Sequence, residues 1–338
     1  MTDIAIVGAG VAGLGAAYAL RDADATVTVF EREAAVGGRA ATRRRAGCVY
    51  DVGANYAKGG DDRVANLFRE VLSDGLVDTD GPVWTFDDEG EISEGKDDDA
   101  PKWTYEDGLS TLGERLADAS GATIRTGTEV VGLAREADDW RVQTSEDTFR
   151  ADALVLTPPA PQTAELLAGA DWDDERRETL PDEIARVPYR SLLTVALHYD
   201  YRREEPYYAL VDTSKDHDLG WVAREECKPG HVPDGESLLI VQPSPRWSAE
   251  HFDDSDEDIA VAAADRSAEL LGDPDRYQPD WFDVVRWRDA LPDASADEEV
   301  LSEAASVDLY FAGDWVVGEG RVHAALRSGL ETGKRLEL

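Results

Sequence analysis

The stretch "IAIVGAGVAGLGAA", residues 4–17, decides the fold. Ile4 to Val7 form a short apolar run, Gly8, Gly10 and Gly13 follow, and an alanine-rich segment continues to about Leu20. Strand, glycine turn and helix in that order are the context that gives this glycine spacing meaning. Gly8 makes the tight turn, Gly10 admits a pyrophosphate against the backbone, and Gly13 lets the helix pack on the strand; the helix N-terminus then stabilises phosphate charge. A second apolar strand, "TVTVF" (26–30), completes a βαβ start, and Glu31 ends it eighteen residues after Gly13. Its carboxylate suits ribose hydroxyls and repels a 2′-phosphate, so the adenosine of FAD or NAD fits better than that of NADP. The expected wall is Gly8, Ala9, Gly10, Val11, Ala12, Gly13, Glu31 and Arg32.

Composition bounds the partners. The 338 residues carry 72 acidic and 34 basic side chains, a net charge of -38, with the acids spread along the chain. Phosphate backbones and anionic membranes need clustered cations, so neither nucleic acid nor membrane is expected as a partner. An excess this large repels itself in dilute buffer and is tolerated in concentrated salt, which predicts a salt-adapted cytoplasmic protein. Cys48 and Cys227 are the only cysteines and lack metal-ligand spacing, so neither a disulfide framework nor a metal site is expected. No apolar run reaches the roughly 18 residues of a membrane span.

Beyond the βαβ start, residues 60–105 break into short amphipathic pieces separated by "GGDDR", "FDDEGE" and "GKDDDAP" and read as an inserted, solvated segment. A helix is expected within "EDGLSTLGERLADAS" (106–120), then an antiparallel meander returning to the buried strand "ALVLT" (153–157). Strands "SLLTVALHY" and "SLLIVQ", an acidic helix near 255–271 and late strands "VVRWRDALP" and "DLYFAGDW" precede a terminal helix rich in glycine and alanine. So many small residues in "FAGDWVVGEGRVHAALRSG" (311–329) predict close backbone approach to something bulky.

After Glu31, "EREAAVGGRAATRRR" (31–45) and "YDVGANYAKGG" (50–60) resemble the FAD-binding start of the flavin amine oxidase superfamily. Within it, "GGRAATRR" is similar to the Gly-Gly-Arg-Met-Ala-Thr-Arg-Arg of renalase and its bacterial relatives, and "YDVGANY" to their Asp-x-Gly-Ala-Gln-Tyr. Segments 107–117, 127–133, 153–167, 284–292 and 309–329 also fall in that family's order. Asn55 stands for the glutamine, Ala40 for the methionine, and His323-Ala324 for the usual Glu-Gly.

The resemblance implies an α/β protein. A Rossmann-type FAD-binding domain of the p-hydroxybenzoate hydroxylase/amine oxidase type would take residues 1–60, 106–165 and 281–338, and a mixed-sheet substrate domain 61–105 and 166–280. It implies non-covalent FAD along Gly37, Gly38 and Arg39, with Thr42, Gly53, Ala54, Asn55 and Val130 nearby. Gly313 and Asp314 would reach the ribityl chain, and the backbone at Arg321, Val322 and His323 the flavin edge. The implied activity is hydride transfer to flavin N5 from 2- or 6-dihydro isomers of NAD(P)H, with molecular oxygen reduced to hydrogen peroxide. Candidate catalytic residues are Asn55, Tyr56, Trp287, His323 and His198, with Trp315 as a further aromatic wall. The partner is a small molecule, a dihydronicotinamide dinucleotide among the options, and the assembly a monomer or homodimer. A flavin amine oxidase or desaturase on the same fold, and a non-catalytic flavin- or NAD-binding protein, stand as alternatives.

Overall fold

A computed structural model describes residues 2–59, 61–96, 100–272 and 278–336. The outer ends of the expected domain ranges, their Gly60 boundary, part of the "GKDDDAP" segment and the stretch 273–277 lie outside these residues. The strand Thr2–Val7 leads through the glycine turn into the helix Val11–Ala19 and back to the strand Ala25–Phe30, as the opening motif predicts. These join a five-stranded parallel sheet in the order Thr123–Arg125, Ala25–Phe30, Thr2–Val7, Ala153–Leu156, Leu309–Phe311. Strand order reverses beside Thr2–Val7, and in an open parallel sheet the crevice beyond the carboxyl ends at that point is where ligands bind.

The meander of Val130–Glu136, Asp139–Thr144 and Thr148–Ala151 is a separate three-stranded sheet that delivers the chain to the fully buried strand Ala153–Leu156.

A seven-stranded mixed sheet forms the other layer, in the order Trp281–Pro292, Tyr189–Tyr199, Ser237–Pro243, Leu219–Arg224, Ala209–Asp212, Val83–Phe86, Ile92–Ser93. Its two faces follow the period of two. Leu193, Val195, Leu197 and Tyr199 pack under the acidic helix Asp256–Leu271, whereas Ala196, with Ala209, Ala223 and Ile240, packs on the hairpin of Thr42–Arg45 and Cys48–Asp51. Residues 61–105 contribute to both layers: Phe68 of the helix Asp62–Glu70 and Trp103 enter the core beneath the first helix, while Val83–Phe86 extends the large sheet.

The terminal helix Val322–Arg335 corrects the expectation attached to its small residues. A Cβ at Gly329 would fall 2.0 Å from the carbonyl oxygen of Ala12, and one at Gly333 2.5 Å from that of Ala16. Most of this glycine and alanine therefore lets two helices touch backbone to backbone; only the first turn, at Val322 and Ala325, faces open space.

Candidate functional site: a dinucleotide-length cavity with a neutral floor

The carboxyl ends of the parallel strands open onto a cavity of about 2690 Å³ that continues beneath the seven-stranded sheet. Small-molecule pockets occupy roughly 300–1,000 Å³, so this one has room for an extended dinucleotide and a substrate together.

At its first end lie Gly8, Gly10, Val11, Ala12, Glu31, Arg32 and Val130. Gly8 holds φ +98°, and a Cβ on Gly13 would meet the Gly8 carbonyl oxygen at 2.0 Å, so turn and helix interlock. Ala9 and Gly13 stand behind this wall; the Ala9 N–H donates to Glu31 Oε2 at 2.8 Å, which fixes the carboxylate at the rim. Arg32 is exposed beside Glu33.

Midway, Gly37, Gly38 and Arg39 run against the first turn: the Gly37 N–H donates to Ala9 O at 2.8 Å. The Arg39 guanidinium donates to Asp314 Oδ1 at 2.8 Å and to the Ala290 carbonyl at 2.7 Å. Burial alone would lower the Arg39 pKa, but the Asp314 charge and hydrogen bond outweigh it and hold the value above the usual one. Gly313, Arg321 and Val322 complete this side.

Further in, a Cβ on Gly53 would fall 2.0 Å from Arg39 O and 3.4 Å from the Trp287 ring, so the turn 53–55, Arg39 and Trp287 form one packed unit. The Trp287 indole donates to Val52 O at 2.8 Å. Gln242, unseen in the sequence, donates to Gly53 O at 3.1 Å and Thr194 Oγ1 at 3.3 Å, which turns its own oxygen toward Asn55 Nδ2, 3.4 Å away. The network thereby orients Asn55 and leaves its Oδ1 a buried acceptor without a donor. Tyr56 stands edge-on to Tyr208 and tilted against Trp221, a second cavity residue that sequence reading missed.

Three expected residues are placed away from the cavity, and a fourth, Thr42, lines it with its hydroxyl already engaged. His198 lies on the expected face of its strand but four residues beyond Thr194, roughly 13 Å along it; it bonds Glu236 at 2.8 Å, stacks on Trp281 and does not line the cavity. His323 is turned from the cavity because Val322 and Ala325 occupy the inward face of the helix; it pairs with Glu319 at 3.4 Å, and burial lowers its pKa against the pull of that carboxylate. Trp315 is fully buried and donates to Pro158 O at 3.0 Å, a core role. Thr42 touches the cavity, yet its hydroxyl is committed, donating to Asp51 Oδ1 at 2.7 Å and accepting from the Ser110 N–H at 2.9 Å.

Behind Thr42 is a sealed charged quartet with no counterpart in the sequence reading. Lys228 Nζ donates to Asp51 Oδ2 at 2.8 Å and Glu225 Oε1 at 2.9 Å, and His231 Nδ1 lies 3.0 Å from Glu225 Oε2, all four residues being buried. Thr104 and the Leu109 N–H complete the Asp51 shell. Three of these residues could ligate a metal, but the lysine ammonium already holds the central position between the two carboxylates. Cys48, also buried, has its thiol pushed up to about 11, first by burial.

Two interlocked glycine turns, a buried acid at the strand end and an arginine beside the cavity define a dinucleotide-binding frame. Comparison with known proteins narrows it. Residues 78–336 match the model of the flavin containing amine oxidoreductase family, and residues 6–71 that of an NAD(P)-binding Rossmann-like domain. The chain belongs to the flavin containing amine oxidoreductases, and it is an FAD-dependent oxidoreductase.

Protoporphyrinogen oxidase 2, chloroplastic/mitochondrial, of Arabidopsis thaliana is 40% identical over 68 residues, 20% of this chain and 13% of that protein. The matched region is thus a small part of that relative. The crystal structure of an Exiguobacterium sp. 255-15 protein, provisionally assigned as a protoporphyrinogen oxidase, superposes with a TM-score of 0.82 at 18% identity over 99% of this chain and 98% of that one. Cyclohexylamine oxidase from Brevibacterium oxydans IH-35A does so at 0.76 and 16%, with the same coverage. At these identities the likeness speaks to fold.

The cavity fits FAD by its own features. A Cβ on Gly10 would meet nothing within 4 Å, so space lies open at the start of the first helix. Two of the helices that begin at the cavity, at Val11 and Val322, lack a side-chain cap among the described residues, which leaves backbone N–H donors for an anionic or carbonyl oxygen.

Proposed function

We propose that the enzyme oxidises a dihydronicotinamide in a renalase-like reaction, taking a hydride from 2- or 6-dihydro isomers of NAD(P)H with molecular oxygen as final acceptor. The observation that carries this reading is the amide pair Asn55–Gln242 beside Trp287 on the cavity wall. A nicotinamide carboxamide carries both a donor and an acceptor, which suit a wall of side-chain amides.

The floor formed by Asn55, Gln242, Trp287 and Trp221 is neutral. That suffices for a substrate whose ring nitrogen lone pair drives hydride departure, because no proton need be removed from carbon or amine first. Asn55 and Gln242 orient the carboxamide, and the indoles with Tyr56 give the ring an apolar face and exclude water. FAD, when bound, supplies the two-electron acceptor and passes the electrons to oxygen as hydrogen peroxide. Gly10, Gly37, Gly38 and the N–H groups after Gly10 would hold its pyrophosphate, Glu31 its ribose, and Arg39 with Asp314 the segment leading to the ring. In this reading residues 1–60, 106–165 and 281–338 hold the cofactor and 61–105 with 166–280 select the substrate.

Anaerobic mixing of the yellow holoprotein with 6-dihydro-NAD and, separately, cyclohexylamine tests it. Bleaching by the first and not the second is expected. Bleaching by the amine alone would replace the reading with an amine oxidase, and bleaching by neither would favour a binding protein.

A further inference from the structure

The net charge of -38 conceals an uneven distribution. Among the described residues thirteen basic and ten acidic side chains line the cavity, against 34 and 72 in the chain as a whole. The described residues of the cavity wall therefore carry a slight basic excess in a strongly acidic protein. Lysine sharpens the contrast: of six in the chain, Lys58, Lys96, Lys102 and Lys215 line the cavity. Lys228 belongs to the sealed quartet, and only Lys334, in the last turn of the terminal helix, lies apart from both.

Two of the four are opposed. In the antiparallel pairing of Ala57–Lys58 with Lys102–Tyr105, Lys58 stands directly across from Lys102. Like charges at directly opposed positions of a sheet repel, and an anion placed between them offsets that repulsion. Lys96 is carried by an adjoining segment. The Thr79 N–H donates to Lys102 O at 2.8 Å, and the chain then runs to Val83, against which Gly95 packs so closely that a Cβ would lie 2.1 Å from its carbonyl oxygen. Trp84, on that strand, also lines the cavity. Lys58 and Lys102 have interactions within the chain as well, so an incoming anion would share them.

We propose that this wall is a phosphate subsite for the substrate. Lys58 and Lys102, flanked by Lys96 and Lys215, hold the pyrophosphate of a dinucleotide while its nicotinamide reaches Asn55, Gln242 and Trp287. Lysine suits the task as a compact charge with three donors, and locally clustered positive charge in an acidic protein draws anionic substrate toward it. The identity of the ring rests on the function proposed above; the anion subsite does not.

The test uses the FAD-loaded enzyme and its K58M/K102M variant. Inorganic pyrophosphate binding is measured by calorimetry, and anaerobic flavin reduction by 6-dihydro-NAD and by the phosphate-free 6-dihydronicotinamide riboside. Pyrophosphate should bind and weaken by at least about fivefold in the variant, the scale of one screened ion pair. The preference for dinucleotide over riboside should shrink by a similar factor.

Absence of pyrophosphate binding, equal binding by the variant, or succinate binding as tightly as pyrophosphate would overturn the proposal. So would a lowered melting temperature with both substrates weakened alike, since that marks a structural role. Lysine-dependent pyrophosphate binding without any flavin reduction by 6-dihydro-NAD would sink the proposed reaction and leave the subsite standing. Reduction with an unchanged dinucleotide preference in the variant would do the reverse.

Discussion

Two charged clusters flank residues 39–51, and they differ in what they face. Arg39 and Asp314 pair at 2.8 Å on the cavity wall, with 30% of the arginine side chain still accessible. Asp51, Glu225, Lys228 and His231 bond within 3.0 Å of one another in a region without solvent. The first can exchange part of its partner set for a ligand; the second cannot. Burial thus separates a cluster that serves binding from one that fastens the hairpin Thr42–Asp51 to the 225–231 segment.

The largest expected effect breaks the sealed cluster. Lys228→Met strands two carboxylates without their cation and should lower unfolding free energy by about 3–5 kcal/mol, read by denaturant melts. Added FAD should raise the stability of this variant by the same increment as wild type. A smaller and different response is expected of Asp314→Asn. Losing a charge-assisted bond should cost about 1–2 kcal/mol, and FAD should dissociate more readily, so the gap to wild type is smallest without FAD and widens as FAD is added, to a constant excess once FAD exceeds both dissociation constants. Identical FAD dependence in the two variants would erase the distinction between the clusters.

The smallest effect is a pH dependence. Burial alone would lower the His231 pKa, but the hydrogen bond and charge of Glu225 overcome it, and the folded-state value is raised. The group therefore contributes stability fully present below its unfolded value of about 6.5 and lost as pH rises through the raised folded value, with a slope of at most about 1.4 kcal/mol per pH unit. Melts across that window should show the loss in wild type and not in His231→Gln.

The cofactor half of the molecule was legible because its constraints are on backbone. Gly8, Gly13, Gly37 and Gly53 sit where a Cβ would strike a side-chain or carbonyl oxygen, and such positions leave a mark that one sequence displays. The wall facing the substrate is built from side chains on separate strands, Trp84, Trp221, Gln242 and Trp287, brought together by sheet order rather than spacing.

Residue type alone also misled. His198 has the right face and the wrong register, and His323 lies one residue past the inward Val322. The quartet joins Asp51 to three residues 174 or more positions away, with only the aperiodic charges of "REECKPGH" (224–231) as a trace. Scarce lysine was visible as a composition, but its concentration at one cavity required the fold.

Hydride transfer at a neutral floor needs no base. Its sharpest test is single-turnover reduction of bound FAD by 6-dihydro-NAD, followed anaerobically from about pH 6 to 9. Rapid reduction with a limiting rate flat across that range is expected; a rate that climbs with pH through a single ionisation, or reduction only by amines, would overturn the proposed reaction.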